Sequence, residues 1–254
     1  MECGFHSDKF EYQYKEDRTE NTLLWENHCH AQFEMIAVLE GDVSIMLEGR
    51  NYRLTANQTA IIPPLVYHTV EANKKCFYRR VTVLFDISSI PDLLREKFTD
   101  KEQSPTILPS YDVEELKNIC CSGNHAFYAP LADSIMTRTL YEYIKNGHIS
   151  LITPIDETLK KALDYIDKNL CNKITLDALA SYVARSKSSV CHMFSEKMKI
   201  PPKQYIIKKR MALANRLIKD GIPPCEAAIR VGYDNYSDFY RLYKKIYRST
   251  PGNK

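Results

Sequence analysis

The chain has 254 residues, 44% hydrophobic and 26% charged, a globular balance that argues against a fibrous or disordered polymer. No apolar run approaches the roughly 18 residues of a membrane helix, and MECGFHSDKFEYQYKED lacks the cationic-then-apolar order of a secretory signal, so a cytoplasmic protein is expected. The net charge of +3 hides an asymmetry: residues 155–254 hold 20 Lys+Arg against 10 Asp+Glu, net +10, and residues 1–154 hold 15 against 22, net −7. A basic half joined to an acidic half suggests one domain that meets a polyanion and one that does not.

Residues 1–25 have mixed polarity and read as an arm. From Ala31 the pattern becomes strand-like. FEMIAVLEG, DVSIMLEG, RNYRL, TAIIPP and YRRVTVLFD are short runs rich in apolar and β-branched residues, punctuated by turns at Gly41-Asp42, Glu48-Gly49-Arg50-Asn51 and Ala56-Asn57. Short strands at this spacing predict an antiparallel barrel or jelly roll. After Asp86 the periodicity turns helical over 91–98, 112–121 and 129–146. GHISLITP (147–154) reads as a linker. The 8 cysteines include no CxxC pair, and in the cytoplasm reduced thiols are the default. The adjacent Cys120 and Cys121 admit a redox-sensing role beside the plainer reading of two helical cysteines.

From Ile155 the pattern is helical throughout, opening with the stripe Ile155, Leu159, Leu163, Ile166 and Leu170. A small-residue helix, a short turn and a helix bearing aromatic residues then occur twice. In the first copy Thr175 caps Leu176–Val183, Ala180 lets two helices approach closely, and Ser186 caps Lys187–Met198. In the second, Glu226–Val231 is followed by Gly232, suited to a left-handed turn. Asp234 or Asn235 then caps Tyr236–Tyr247, whose buried side would be Phe239, Leu242, Tyr243 and Ile246. Each copy is a helix-turn-helix, whose second helix enters a major groove. The outward residues are Ser186, Lys187, Ser188, Cys191 and His192 in the first copy. In the second they are Asn235, Tyr236, Ser237, Tyr240, Arg241, Lys244 and Lys245. Base edges and phosphates are both reachable chemistries for these groups.

Ile174–Pro251 resembles the DNA-binding domain of the AraC/XylS-type transcription regulators. The stretch AAIRVGYDNYSDFYRLYKKIYRSTP is similar to that family's signature, and Arg210, Ala214 and Leu217 resemble the long helix joining its two halves. The sequence departs from the pattern at Ala184, Lys199 and Arg248, where the family usually has Gly, and at Arg185, where an apolar residue is usual. It also ends at Lys254 without the usual short final helix. These departures bear on stability and turn geometry more than on the fold.

The N-terminal half resembles the cupin-like sensor of such regulators. His28-x-His30-xxx-Glu34 before Gly41 is similar to the first cupin motif, and Pro63-x-Leu65-xx-His68 to the second, with Leu65 and Asn57 where glycines are common. The resemblance implies a ligand site in the barrel, with Trp25, His28, His30, Glu34, His68, Tyr78 and Arg80 as its candidate residues and a carbohydrate as the suggested ligand class. In metal cupins His28, His30, Glu34 and His68 would ligate a divalent ion. In regulatory relatives such residues often serve as hydrogen-bonding groups, and no cofactor is the expectation here.

The expected protein is therefore α+β with two domains. Residues 1–105 form a cupin-like antiparallel β-barrel with an N-terminal arm. Residues 106–154 form a helical dimerisation segment and linker, and residues 155–254 an all-α double helix-turn-helix. It would bind double-stranded DNA and a small-molecule effector, without catalysis, as a homodimer touching through 129–146. RNA polymerase is a further candidate partner, and a membrane is not. Two other readings remain: a metal-dependent cupin enzyme with a helical appendage, and a regulator whose barrel only dimerises.

Overall fold

The computed structural model describes residues 1–19, 28–72, 76–99, 106–145 and 156–252. The chain divides into two compact units. The first comprises Met1–Asn27, Gln32–Leu47 and Asn51–Thr153. The second comprises Pro154–Lys254 with the short segments His28–Ala31 and Glu48–Arg50. The expected linker 147–154 and Trp25 lie outside the described residues.

In chain order the strands are β1 (Glu2–His6), β2 (Phe10–Thr19), β3 (Phe33–Glu40), β4 (Asp42–Leu47), β5 (Arg50–Thr55), β6 (Gln58–Ile62), β7 (His68–Ala72), β8 (Cys76–Phe85) and β9 (Thr106–Pro109). They form a six-stranded sheet in the order β1-β2-β8-β3-β6-β9 and a three-stranded sheet in the order β5-β4-β7. The helices of this unit are α1 (Asp92–Thr99), α2 (Val113–Cys120) and α3 (His125–Lys145).

The expected N-terminal arm is instead two strands of the large sheet. β2 pairs antiparallel with β8 from Phe10↔Phe85 to Thr19↔Cys76, and β1 pairs with β2. The reason is a period of two: Phe10, Tyr12 and Tyr14 are buried, and the intervening Glu11, Gln13 and Lys15 are not, so the segment reads as mixed when the alternation is overlooked. β9 was also unforeseen. It adds to the sheet edge beside β6, and its TILP is too short to carry a periodic signal.

β3 is buried on both faces, which explains its nearly unbroken apolar run FEMIAV. Ile36 and Val38 join Val43, Ile45, Leu54 and Ile62 in a cluster drawing on strands of both sheets. Met35 and Ala37 join Val81, Val83 and Phe85, and Leu116, Ile119, Ile135, Met136 and Leu140 of α2 and α3 cover them. Burying each such Leu, Ile or Phe contributes about 1.5–3 kcal/mol. The inner face of α3 is thus committed to its own sheet. Phe127, Leu131 and Tyr141 remain exposed on it.

The second unit is helical: α4 (Glu157–Lys168), α5 (Leu176–Tyr182), α6 (Lys187–Lys197), α7 (Pro202–Lys219), α8 (Pro224–Arg230) and α9 (Tyr236–Tyr247). Asp156 caps α4, accepting from the N–H groups of Thr158 and Leu159 at 2.8 and 3.0 Å. The described members of the expected stripe, Leu159, Leu163, Ile166 and Leu170, are buried. α7 begins with Pro202 at its first turn, where a missing N–H is harmless. Its Lys209 is buried and donates to Asp167 at 2.6 Å. Met211 and Ala214 of α7 pack with Ala228, Val231, Phe239 and Tyr243. Ile246, expected inside, is 37% exposed, so the buried side of α9 is narrower than its sequence suggests.

Candidate nucleic-acid interface

The two helix pairs α5–α6 and α8–α9 share one turn. α5 ends with Arg185 N–H donating to the Ala180 carbonyl at 3.0 Å, and α8 with Tyr233 N–H donating to the Ala228 carbonyl at 3.0 Å. These six-to-one bonds require a left-handed residue just before them. It is Ala184 at φ +53° in the first pair and Gly232 at φ +84° in the second. Lys199 and Arg248, the other residues standing where glycine is usual, also take left-handed values, φ +56° and +54°. So do Asn57 at +63° and Leu65 at +61° in the first unit. The backbone keeps each turn although the sequence lacks the residue that adopts it most readily.

Side-chain caps start every helix of this surface except α8. Thr175 Oγ1 accepts from Ala178 N–H at 3.1 Å, Ser186 Oγ from Ser189 N–H at 3.1 Å, and Asn235 Oδ1 from Ser237 N–H at 2.8 Å. Ser186 and Asn235 are therefore engaged as caps. Lys187, Ser188 and His192 of α6 are exposed, and Cys191 is half-buried. On α9 Tyr236, Ser237, Arg241, Lys244 and Lys245 are exposed, and Tyr240 is half-buried. Tyr243 is buried, its hydroxyl donating to Asn215 at 2.7 Å, and its ring meets that of Tyr247 at 4.7 Å.

Two cations on these helices, Lys187 and Arg241, carry local acidic partners. Lys187 pairs with Asp177 at 2.9 Å, and Arg241 pairs with Asp238 one turn earlier. Exposed pairs of this kind are worth no more than about 1 kcal/mol. A phosphate or a base edge can therefore displace either carboxylate at little cost.

One residue was recognised in the sequence only as part of the long helix. Arg210 of α7 donates from Nε to the Leu170 carbonyl at 2.8 Å, from Nη1 to the Gly232 carbonyl at 3.1 Å, and from Nη2 to the Asn172 carbonyl at 2.5 Å. Its guanidinium also lies over the Tyr233 ring, 5.6 Å from the ring centre. The planar five-donor fork lets one side chain hold the segment before α5 and the turn after α8 together. No sequence pattern signals this, because all three acceptors are backbone.

In the first unit His68 is buried, with Nδ1 2.9 Å from the Val66 carbonyl and Nε2 2.9 Å from Glu34 Oε2. A carbonyl only accepts, so Nδ1 carries a hydrogen and Nε2 is the atom that faces the carboxylate. The fixed Nδ1 would leave Nε2 as the ligating atom for a metal. Tyr78 and Arg80 of β8 are buried. Arg80 lies 4.5 Å over the Tyr78 ring and donates to Asp17 of β2 at 2.6 Å. His28 and His30 fall in the second unit, their rings 5.7 Å apart. Imidazole and carboxylate are donors that suit divalent transition metals, and within the first unit Glu34 and His68 offer one of each. Burial pushes the Cys120 thiol up to about 12 and the Cys121 thiol up to about 11, so both stay protonated at neutral pH and are poor nucleophiles.

Residues 13–121 match the family of AraC-like ligand-binding domains, and residues 179–253 match a helix-turn-helix domain family. The chain is 29% identical over 239 residues to the probable transcriptional regulator LumQ of Photobacterium leiognathi, covering 88% of this chain and 89% of that protein. It is 33% identical over 116 residues to the uncharacterized HTH-type transcriptional regulator YdiP of Escherichia coli, covering 44% of this chain and 38% of that protein, little more than a third of its length. Among solved structures it is similar to ToxT of Vibrio cholerae, with a TM-score of 0.46 and 10% identity over 97% of this chain and 96% of that one. No helix among the described residues is long and apolar enough to cross a membrane.

Proposed function

We infer the action of this chain from the family to which it belongs, the AraC-type transcription regulators, here an AraC-like ligand-binding domain followed by a helix-turn-helix domain. In the cytoplasm, α6 and α9 enter successive major-groove segments of one duplex. Lys187, Ser188, Cys191 and His192 face base edges from the first helix, and Tyr236, Ser237, Tyr240 and Arg241 from the second. Lys244 and Lys245 neutralise phosphates, and the capped helix starts at Ser186 and Asn235 lie against the backbone. The observation that carries this reading is the pair of capped, outward-facing helices on the half of the chain with net charge +10.

The first unit takes a small-molecule effector, for which a carbohydrate is the working class. A ligand changes DNA binding only through a difference in its affinity for two arrangements of the protein. The exposed Phe127, Leu131 and Tyr141 recur at a spacing that keeps them on one side of α3, and this stripe supports a homodimer contact there. Two copies on one site raise affinity through effective concentration. RNA polymerase is the partner through which such a bound dimer would act.

The test is binding to promoter duplexes at several salt concentrations. Affinity should fall linearly with salt on logarithmic axes. Arg241→Ala should cost about 1–3 kcal/mol on the preferred sequence and less on others if it reads a base. A salt-independent affinity overturns the reading, and an equal loss on every sequence reassigns Arg241 to a phosphate. A thermal-shift screen with sugars tests the effector, since a ligand bound by the native state raises apparent stability. Metal analysis of the protein and of His68→Ala separates off the enzyme alternative, which needs a stoichiometric metal lost on substitution together with turnover.

A further inference from the structure

We infer that the cleft of the second unit bordered by α5, α6, α7 and α9 is a binding site for a flat apolar anion, an aromatic carboxylate or sulfonate. The cleft has a volume of about 800 Å³, the size of known small-molecule sites. Ile174, Leu176, Ile206, Ile207 and Leu242 give it apolar walls. Such walls exclude a hydrated phosphodiester, so a DNA backbone crossing the rim would leave the floor unfilled.

Charge selects the sign of the occupant. Lys203, Arg210, Arg241 and Lys245 line the cleft against the single carboxylate of Asp238, which Arg241 already holds. The three partners of Arg210 are neutral carbonyls. They take up three of its five N–H donors and leave its positive charge without a counter-ion among them. Tyr233 also lines the cleft, and its hydroxyl is buried with no hydrogen-bond partner among the described residues. A buried donor in that condition is uncommon in native proteins.

The site stands apart from the effector site proposed for the first unit. Its consequence for DNA does rest on the DNA-binding reading. Arg241 and Lys245 belong both to the cleft and to the proposed DNA surface, so occupancy and duplex affinity would be coupled, reciprocally.

The experiment uses the full chain and 1-anilinonaphthalene-8-sulfonate, an apolar aromatic anion that fluoresces when desolvated. Cys191 lines the cleft, whereas Cys171 and Cys225 are exposed and outside its lining, so the protein carries its own controls. With the probe at ten times its Kd, N-ethylmaleimide should modify Cys191 about tenfold more slowly, as mass action requires, with Cys171 and Cys225 unchanged. Lys203→Glu reverses an exposed rim charge and should weaken the probe roughly tenfold at unchanged circular dichroism. Ile206→Glu, in the wall, should do the same. Equal protection of all three cysteines, protection of none, or an unaltered Kd in Lys203→Glu overturns the proposal. Because these readouts contain no DNA, a protein that holds the probe and no duplex refutes the DNA reading alone, and one that holds a duplex and no probe refutes the cleft alone.

Discussion

The turn of α5–α6 and the turn of α8–α9 have the same hydrogen bonds and a left-handed residue at the same position, yet one tolerates alanine and the other does not. A Cβ added to Gly232 would lie 2.7 Å from the Cys171 carbonyl oxygen and 3.1 Å from Arg210 Nη2. Ala184, which already carries a Cβ at this position, is exposed. The residues that follow differ in step. Tyr233 packs its ring against Phe239 at 5.7 Å and beneath Arg210, while Arg185 is exposed. The glycine of the second turn is thus fixed by close packing as well as by backbone angle, whereas the first turn is held by its hydrogen bonds and caps.

If that contrast is right, Gly232→Ala has the largest effect. Left-handed strain of about 1–2 kcal/mol adds to a clash with backbone, for a total loss of about 3 kcal/mol in urea unfolding. A loss below about 1 kcal/mol would make the two turns equivalent. Arg210→Ala should cost about 2–3 kcal/mol, since three carbonyls lose a charged donor together. It should also weaken binding of two-site DNA more than of either half-site. Ser186→Ala and Asn235→Ala should each cost about 1 kcal/mol, the usual value of a lost cap, and similar losses would show that the caps do not distinguish the pairs. The smallest effect is Ala184→Gly. Relief of left-handed strain outweighs the extra flexibility of the unfolded chain, for a net gain of about 0.5 kcal/mol. A destabilised Ala184→Gly would mean that the alanine methyl packs after all.

Much of the second unit was legible because its signals are local. Thr175 and Ser186 cap where the sequence places them, Asn235 rather than Asp234 caps α9, and α9 runs over the expected Tyr236–Tyr247. Asn57, Leu65, Ala184, Lys199 and Arg248 were each legible as places where glycine was missing, and each carries a positive φ. What escaped was non-local. β1 and β2 looked like an arm because their apolar alternation is interleaved with charge, and only pairing with β8 reveals it. The ion pair of Arg80 with Asp17 on another strand is likewise absent from any local pattern. The cleft is invisible in sequence because its lining comes from four separate helices and the loops between them.

The acceptors of Arg210 have one more implication. They are main-chain oxygens at Leu170, Asn172 and Gly232, so they survive almost any exchange of side chain at the first two positions. Point changes around this arginine can accumulate while the spacing of the paired halves stays the same. A deletion or insertion of one residue between positions 170 and 176 would move an oxygen away from its N–H. The gauge is therefore written in chain length rather than in residue identity, and its enemy is the frame-preserving indel.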